Sequence, residues 1–290
     1  MFALLFAVVL LCFSSREVFG FALPLAPGMG QDKLLRGMEW LQKYDYIKID
    51  AGKDSDGLDF SMIKDGISKF QIFNSLPNTQ MIDSDTIAQM EKPRCGCGDP
   101  EFAGVAERDE FRFGLEGGKW NKTELTYRIT RIPKHLSKKT VRRTVRAACN
   151  VWSSRSPLRF DEVRSGRADI NIKFMGTMDH GDRRAFWHPL EEVAHGFPPT
   201  HPELPGDIHL DASENYTFGD EEGIYLHQLL VHLLGHTLGL GHSPDPKSVM
   251  NPAVRPYDPE FALTKNDMMG LHSLYGRKKR DSVRRQRRHH

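Results

Sequence analysis

The spacing of three histidines constrains this chain more than any other feature. They stand in the order His232-Leu-Leu-Gly-His236-Thr-Leu-Gly-Leu-Gly-His242. His232 and His236 are four residues apart, so a helix puts both on one face. Gly239 permits the left-handed residue that ends such a helix. The returning chain can then bring His242 to the same point. Three imidazoles leave one position of a tetrahedral zinc open, as in catalytic rather than structural sites. Hydrolytic zinc sites also need a carboxylate beside the first histidine. It takes a proton from the attacking water and returns it to the leaving amine. Position 233 holds leucine instead. The motif thus predicts a helix, a turn and a metal, while Leu233 leaves the general base unassigned. Gln228 is no base, and Glu221 and Glu222 lie too far up the helix to replace one.

The two ends of the chain read differently from its middle. The apolar run from Phe2 to Phe13 within residues 1–20 reads as a signal peptide, with cleavage near Gly20 or Ala22. No later stretch is long enough to span a membrane, so a secreted, extracellular product is expected. Once Cys12 has left, Cys95, Cys97 and Cys149 remain, an odd number that excludes a disulfide scaffold. Residues 277–290 carry eight Lys/Arg and one Asp, so within a net charge of +2 the rest of the chain is near −5. This tail reads as a solvated segment, or as an anchor for acidic glycans. The expected compartment argues against nucleic acid as a partner.

Two modules lie between these ends. Leu34, Leu35, Met38 and Leu41, then Phe60, Ile63, Ile67 and Phe70, recur at helical spacing, and a short helical stretch follows from Ser84 to Met90. These predict a small helical bundle over residues 21–102, closed by Pro93-Arg-Cys-Gly. The second module, residues 103–276, opens with a strand at Leu125–Ile129. Ser137 can cap a helix that aligns Val141, Val145, Ala148 and Trp152. Ile170–Phe174 alternates like a half-buried strand, and Asp207–Asp211 reads as another. Glu222–Leu238 and Lys265–Tyr275 are helical, the latter ending at Gly276. The expected class is α+β, a twisted mixed sheet with three helices.

At these residues the chain resembles a matrix metalloproteinase zymogen, a metzincin of minimal architecture without a hemopexin-like domain. Pro93-Arg94-Cys95-Gly96 with Asp99 is similar to that family's cysteine switch, in which a thiolate fills the open zinc position. Cys97 and Gly98 depart from the usual motif. His180, Asp182, His195 and His209 resemble the ligands of the family's second, structural zinc. Asp207, Asp211 and Glu214 match its calcium ligands, with solvated surface carboxylates as the alternative. Trp187-His-Pro-Leu190 replaces the glycine-rich acidic loop that goes with them. Met250 stands where the family has a turn beneath the metal. Asn251 and Val254 replace tyrosines near the substrate pocket.

The resemblance implies two zinc ions, possible calcium, and a monomer acting on extracellular matrix proteins or meeting protease inhibitors. Leu233 predicts severely reduced hydrolysis. The alternative is a non-catalytic, zinc-binding relative that binds matrix proteins, inhibitors or acidic glycans.

Overall fold

The computed structural model describes residues 17–18, 21–22, 25–48, 60–99, 118–176, 182, 186, 192–219 and 222–278. The expected signal peptide lies almost wholly outside them. So do His180, the Trp187–Leu190 loop, Glu221 and the tail beyond residue 278. Among the described residues, no helix is long and apolar enough to cross a membrane. The chain divides into two compact units. One holds the chain up to Lys92 together with residues from Gly98; the other holds Pro93–Cys97 and the rest. The boundary drawn from the sequence kept Cys95 with the helical module, whereas its segment packs with the second unit.

Among the described residues, the first unit contains a two-residue strand pair, β1 (Glu17–Val18) and β2 (Phe21–Ala22), and three helices. These are α1 (Gln31–Lys43), α2 (Phe60–Phe73) and α3 (Ser84–Met90). The apolar residues at helical spacing face one another: Leu34, Met38, Leu41, Ile63, Ile67 and Phe70 are all buried in one cluster. The Trp40 indole donates to the Met90 carbonyl at 2.9 Å, tying α1 to the end of α3. Asp83 caps α3. Its carboxylate accepts from the Thr86 amide at 2.8 Å and from the Thr79 and Thr86 hydroxyls, each at 2.7 Å.

The described residues of the second unit form a six-stranded mixed sheet with three helices. The strands are β3 (Arg94–Cys95), β4 (Glu124–Arg131), β5 (Arg159–Glu162), β6 (Ile170–Met175), β7 (Glu192–Gly196) and β8 (Asp207–Asp211). Their order is β3-β7-β8-β6-β4-β5, and β7 runs antiparallel to β8 while the other pairings are parallel. A short parallel pair, β9 (Tyr216–Thr217) and β10 (Ile224–Tyr225), precedes the histidine helix.

Helix α4 (Lys138–Ser153) begins at Ser137, whose hydroxyl accepts from the Thr140 amide, and buries Val141, Val145, Ala148 and Trp152. The Trp152 indole donates to the Val231 carbonyl at 3.0 Å, locking α4 onto α5 (Leu226–Thr237). Gly239 has φ +95°, the left-handed turn expected there, and α5 ends at it. Helix α6 (Lys265–Tyr275) starts with a reciprocal capping box between Thr264 and Asp267 and stops at Gly276.

The Asp83 cap yields a test. Burial pushes its carboxyl up, but the hydrogen bonds from Thr79 and Thr86 outweigh this and hold it below its ordinary 3.8. A folded value below the unfolded one contributes stability above the unfolded value, lost as pH falls through the folded value. Asp83→Ala should therefore cost about 1 kcal/mol at neutral pH in a denaturant titration. That difference should shrink in acid, below about pH 4.

Candidate metal centre

The three histidines converge as their spacing requires. His236 Nε2 lies 3.1 Å from His232 Nε2 and 3.1 Å from His242 Nε2. Cys95 Sγ lies 3.6 Å from His236 Nε2, and all four residues are buried. A tetrahedral zinc with bonds of about 2.05 Å to nitrogen and about 2.3 Å to sulfur has N···N edges of about 3.3 Å and N···S edges of about 3.6 Å. The donor set therefore fits zinc in both type and spacing.

The opposite ring nitrogens are committed elsewhere. His232 Nδ1 meets the Val249 carbonyl at 2.8 Å, and His236 Nδ1 meets the Leu240 carbonyl at 2.9 Å. A carbonyl can only accept, so each Nδ1 carries the proton and each Nε2 offers its lone pair. Burial, with His236 and His242 alongside, holds His232 well below the ordinary histidine range and favours the neutral ligand form.

The backbone behind His232 is itself anchored. Asp267, buried in the first turn of α6, accepts from the Ser248 hydroxyl and from the Val249 amide at 3.1 Å. The same carboxylate caps α6 through Thr264. Met250 follows in this turn and packs beneath α5, where a Cβ on Gly235 would collide with its sulfur. Asp267 was not singled out from the sequence. The available signal was Thr264 three residues before it, the spacing of a capping box.

Leu233 is fully buried and belongs to the main core cluster. Beside the metal cluster lies a cavity whose lining includes Cys95, His232, Gln228, Val249, Val254 and Arg255. None of the described residues lining it is Asp or Glu. The Gln228 amide donates to the Pro256 carbonyl at 3.1 Å, and its oxygen accepts from the Asp258 amide at 2.7 Å. It is thus a structural tie across the cavity wall. Glu222 is exposed.

Cys95 reaches the cluster because β3 joins the outer edge of β7, pairing Cys95 with Ala194. The Cys95 amide donates to the Pro252 carbonyl at 2.9 Å, and the Gly96 amide to the Ala194 carbonyl at 2.8 Å. A Cβ on Gly96, just after this strand, would overlap the Glu192 carboxylate and force that side chain to shift. Cys97 turns toward β7 and donates to the Gly196 carbonyl at 3.1 Å. Cys149 sits apart in the core, its thiol pushed up to about 12 by burial, and it is unreactive there.

A second cluster joins Asp182, His195 and His209. Asp182 Oδ2 lies 2.7 Å from His195 Nε2 and 2.8 Å from His209 Nδ1, and the two ring nitrogens are 3.2 Å apart. Two imidazoles and a carboxylate suit zinc. Glu192, buried on β7, lies 2.7 Å from His195 Nδ1 and fixes the tautomer that presents Nε2 to the cluster. Burial disfavours a charged His195, but Asp182 and Glu192 outweigh it and raise its pKa. Glu192 was also missed from the sequence, where nothing local pairs it with a histidine.

The three carboxylates matched to calcium ligands divide. Asp211 is fully buried; its Oδ1 accepts from the Ser213 amide and hydroxyl, and its Oδ2 has no hydrogen-bond partner among the described residues. Glu214 is buried nearby, and after burial itself these two acids push the Tyr216 phenol well up. An orphaned, buried carboxylate oxygen beside a second acid fits a hard cation. Asp207 does not fit in the same way. Its Oδ1 accepts from Asn171 at 2.9 Å, and its Oδ2 is paired with the Lys173 ammonium. Burial raises the Asp207 carboxyl, but His209, Lys173 and Asn171 together hold it down at about 2. A lysine already supplies the positive charge there.

The Glu192 arrangement predicts a selective loss. Glu192→Ala should weaken zinc binding at the second cluster by about 10–100-fold and leave the first cluster's affinity unchanged. Competitive titration with a zinc chelator separates the two.

Comparison with known proteins bears on this geometry. The Matrixin family profile matches residues 119–276. Human matrilysin is 38% identical over 261 residues, covering 89% of this chain and 92% of that one. Human stromelysin-3 is 43% identical over 190 residues, covering 65% of this chain and 38% of its own length. Human matrix metalloproteinase-25 is 36% identical over 264 residues, 87% of this chain and 46% of its own. The profile takes in more than half of the chain, including both histidine clusters and the turn that holds them, and the protein belongs to the matrixin family of matrix metalloproteinases.

Proposed function

We propose that this chain is a secreted, zinc-binding metalloendopeptidase-type zymogen with severely reduced hydrolysis. The observation that carries this reading is Leu233. It fills the general-base position as a fully buried core residue, and none of the described residues lining the adjoining cavity offers a carboxylate in its place. A bound zinc would polarise a substrate carbonyl and make water more acidic. The described residues orient the metal ligands and shape the cavity, but none of those lining it is a carboxylate that could move the proton. Losing a general base costs roughly 10²–10⁴ in rate, or about 3–5.5 kcal/mol of barrier.

In the latent form, Cys95 would be the fourth zinc ligand. Its sulfur, 3.6 Å from His236 Nε2 and within 4.8 Å of a ring nitrogen of each of the three histidines, and its strand pairing with Ala194 support that role. Residues 21–102 would act as the propeptide and 103–276 as the peptidase-type domain. His180 would complete the second zinc site, with Asp182, His195 and His209. Asp211 and Glu214 are the acids best placed to hold calcium. Extracellular matrix proteins and protease inhibitors are the partner classes that family membership supports.

A second reading is favoured by the same residue. Leu233 removes the base and leaves His232, His236 and His242 together, so a non-catalytic relative that binds matrix proteins or inhibitors is equally well built. Asn251 and Val254, which stand where the family usually has tyrosines, line the cavity and agree with a changed binding preference.

One pair of assays separates these readings. The propeptide-free protein should hold zinc but cleave a generic peptide roughly 10²–10⁴ more slowly than Leu233→Glu does. Cleavage by the parent at the variant's rate would contradict the proposal. A zinc-loaded Leu233→Glu protein that stays inactive would favour the non-catalytic reading.

A further inference from the structure

One stretch of the second unit has a charge pattern that neither metal cluster uses. From Leu125 to Phe160 the chain carries ten Lys/Arg and no Asp or Glu. The stretch forms β4, the connection to α4, α4 itself and the start of β5, the free edge of the sheet.

On α4 the charges fall on one side. At 100° per residue, Lys138, Lys139, Arg142, Arg143 and Arg146 lie within an arc of about 140°. The buried residues Val141, Val145, Ala148 and Trp152 lie outside that arc. Along the axis the five charges span about 12 Å. Lys138, Lys139, Arg143 and Arg146 are exposed, as are Arg131 and Lys134 just before the helix. Glu162 on β5 pairs with Arg142 and, at 3.6 Å, with Arg146. Among the described residues, Lys138, Lys139 and Arg143 form no ion pair with it, and the stripe keeps a net charge near +4.

We infer that this stripe binds a sulfated glycosaminoglycan, as a surface distinct from the basic tail. Evenly spaced positive charges along a line match a polymer with repeated fixed negative charges. Arginine's planar fork suits the oxygens of a sulfate as it suits those of a phosphate or carboxylate. Other polyanions fit less well. The exposed large apolar residues among those described are Met62, Ile72 and Tyr257, none of them in this stretch. The stripe thus lacks both the aromatic platforms on which single-stranded nucleic acid stacks and the apolar face that seats a helix in a membrane. The choice of a glycan also rests on the extracellular reading above. Binding itself needs neither zinc nor hydrolysis.

Heparin binding of the purified chain at about 0.15 M salt tests this. The variant K138Q/K139Q/R143Q leaves the Glu162 pairs intact, and unchanged thermal unfolding would confirm its fold. It should bind heparin at least tenfold more weakly and elute from a heparin column at lower salt. A chain ending at Gly276 should still bind heparin, and more tightly than that chain carrying the triple change. Fully desulfated heparin should not bind. The inference is overturned if the triple variant binds as well as the parent, if removing residues 277–290 alone abolishes binding, or if duplex DNA binds more tightly than heparin.

Discussion

Three imidazole nitrogens that face one another repel unless a cation lies among them. In this chain His236 Nε2 is 3.1 Å from two other ring nitrogens, while Nδ1 of His232 and of His236 is spent on backbone carbonyls. Much of the second unit serves to hold that arrangement. Asp267 fixes the Val249 peptide, which in turn orients His232. The left-handed turn at Gly239 ends α5, and the chain returns to bring in His242. Trp152 clamps α5 to α4, and Met250 packs beneath Gly235. Gly239 in particular has a left-handed backbone, and a Cβ there would meet the Gly118 carbonyl.

Binding and catalysis separate cleanly at such a site. Zinc affinity depends on three nitrogens and the shell behind them, none of which involves residue 233. The general base is a single side chain on the same helix, and an apolar residue is well accommodated there because the position is fully buried. The acidic residues matched to calcium ligands divide in a similar way. Lys173 sits on Asp207 with its own positive charge, while Asp211 keeps an oxygen without a hydrogen-bond partner among the described residues.

What could be read from the sequence follows the range of the interaction. Helix spacing and caps are local, so Ser84–Met90 and Lys265–Tyr275 were expected with the ends they have. The strands at Ile170–Met175 and Asp207–Asp211 were visible through alternation or apolar content. Strand β7 was not. All five of its residues are buried, so Glu192-Val-Ala-His-Gly196 shows no alternation, and its pairing with Arg94–Cys95 joins segments far apart in the chain. Glu192 and Asp267 were missed for a related reason. An acidic residue reads as solvated until tertiary structure buries it against a histidine or a peptide N–H. The basic stripe on α4 was overlooked because its charges are diluted by the buried residues between them, unlike the uninterrupted run in the tail.

The most direct test of the central claim is diffraction from crystals of the intact chain at the zinc absorption edge. The account predicts an anomalous peak bonded to His232, His236 and His242 at about 2.0–2.1 Å and to Cys95 sulfur at about 2.3 Å, with no carboxylate within reach of it. A peak confined to the Asp182, His195 and His209 cluster would contradict it, as would a carboxylate found beside the first metal.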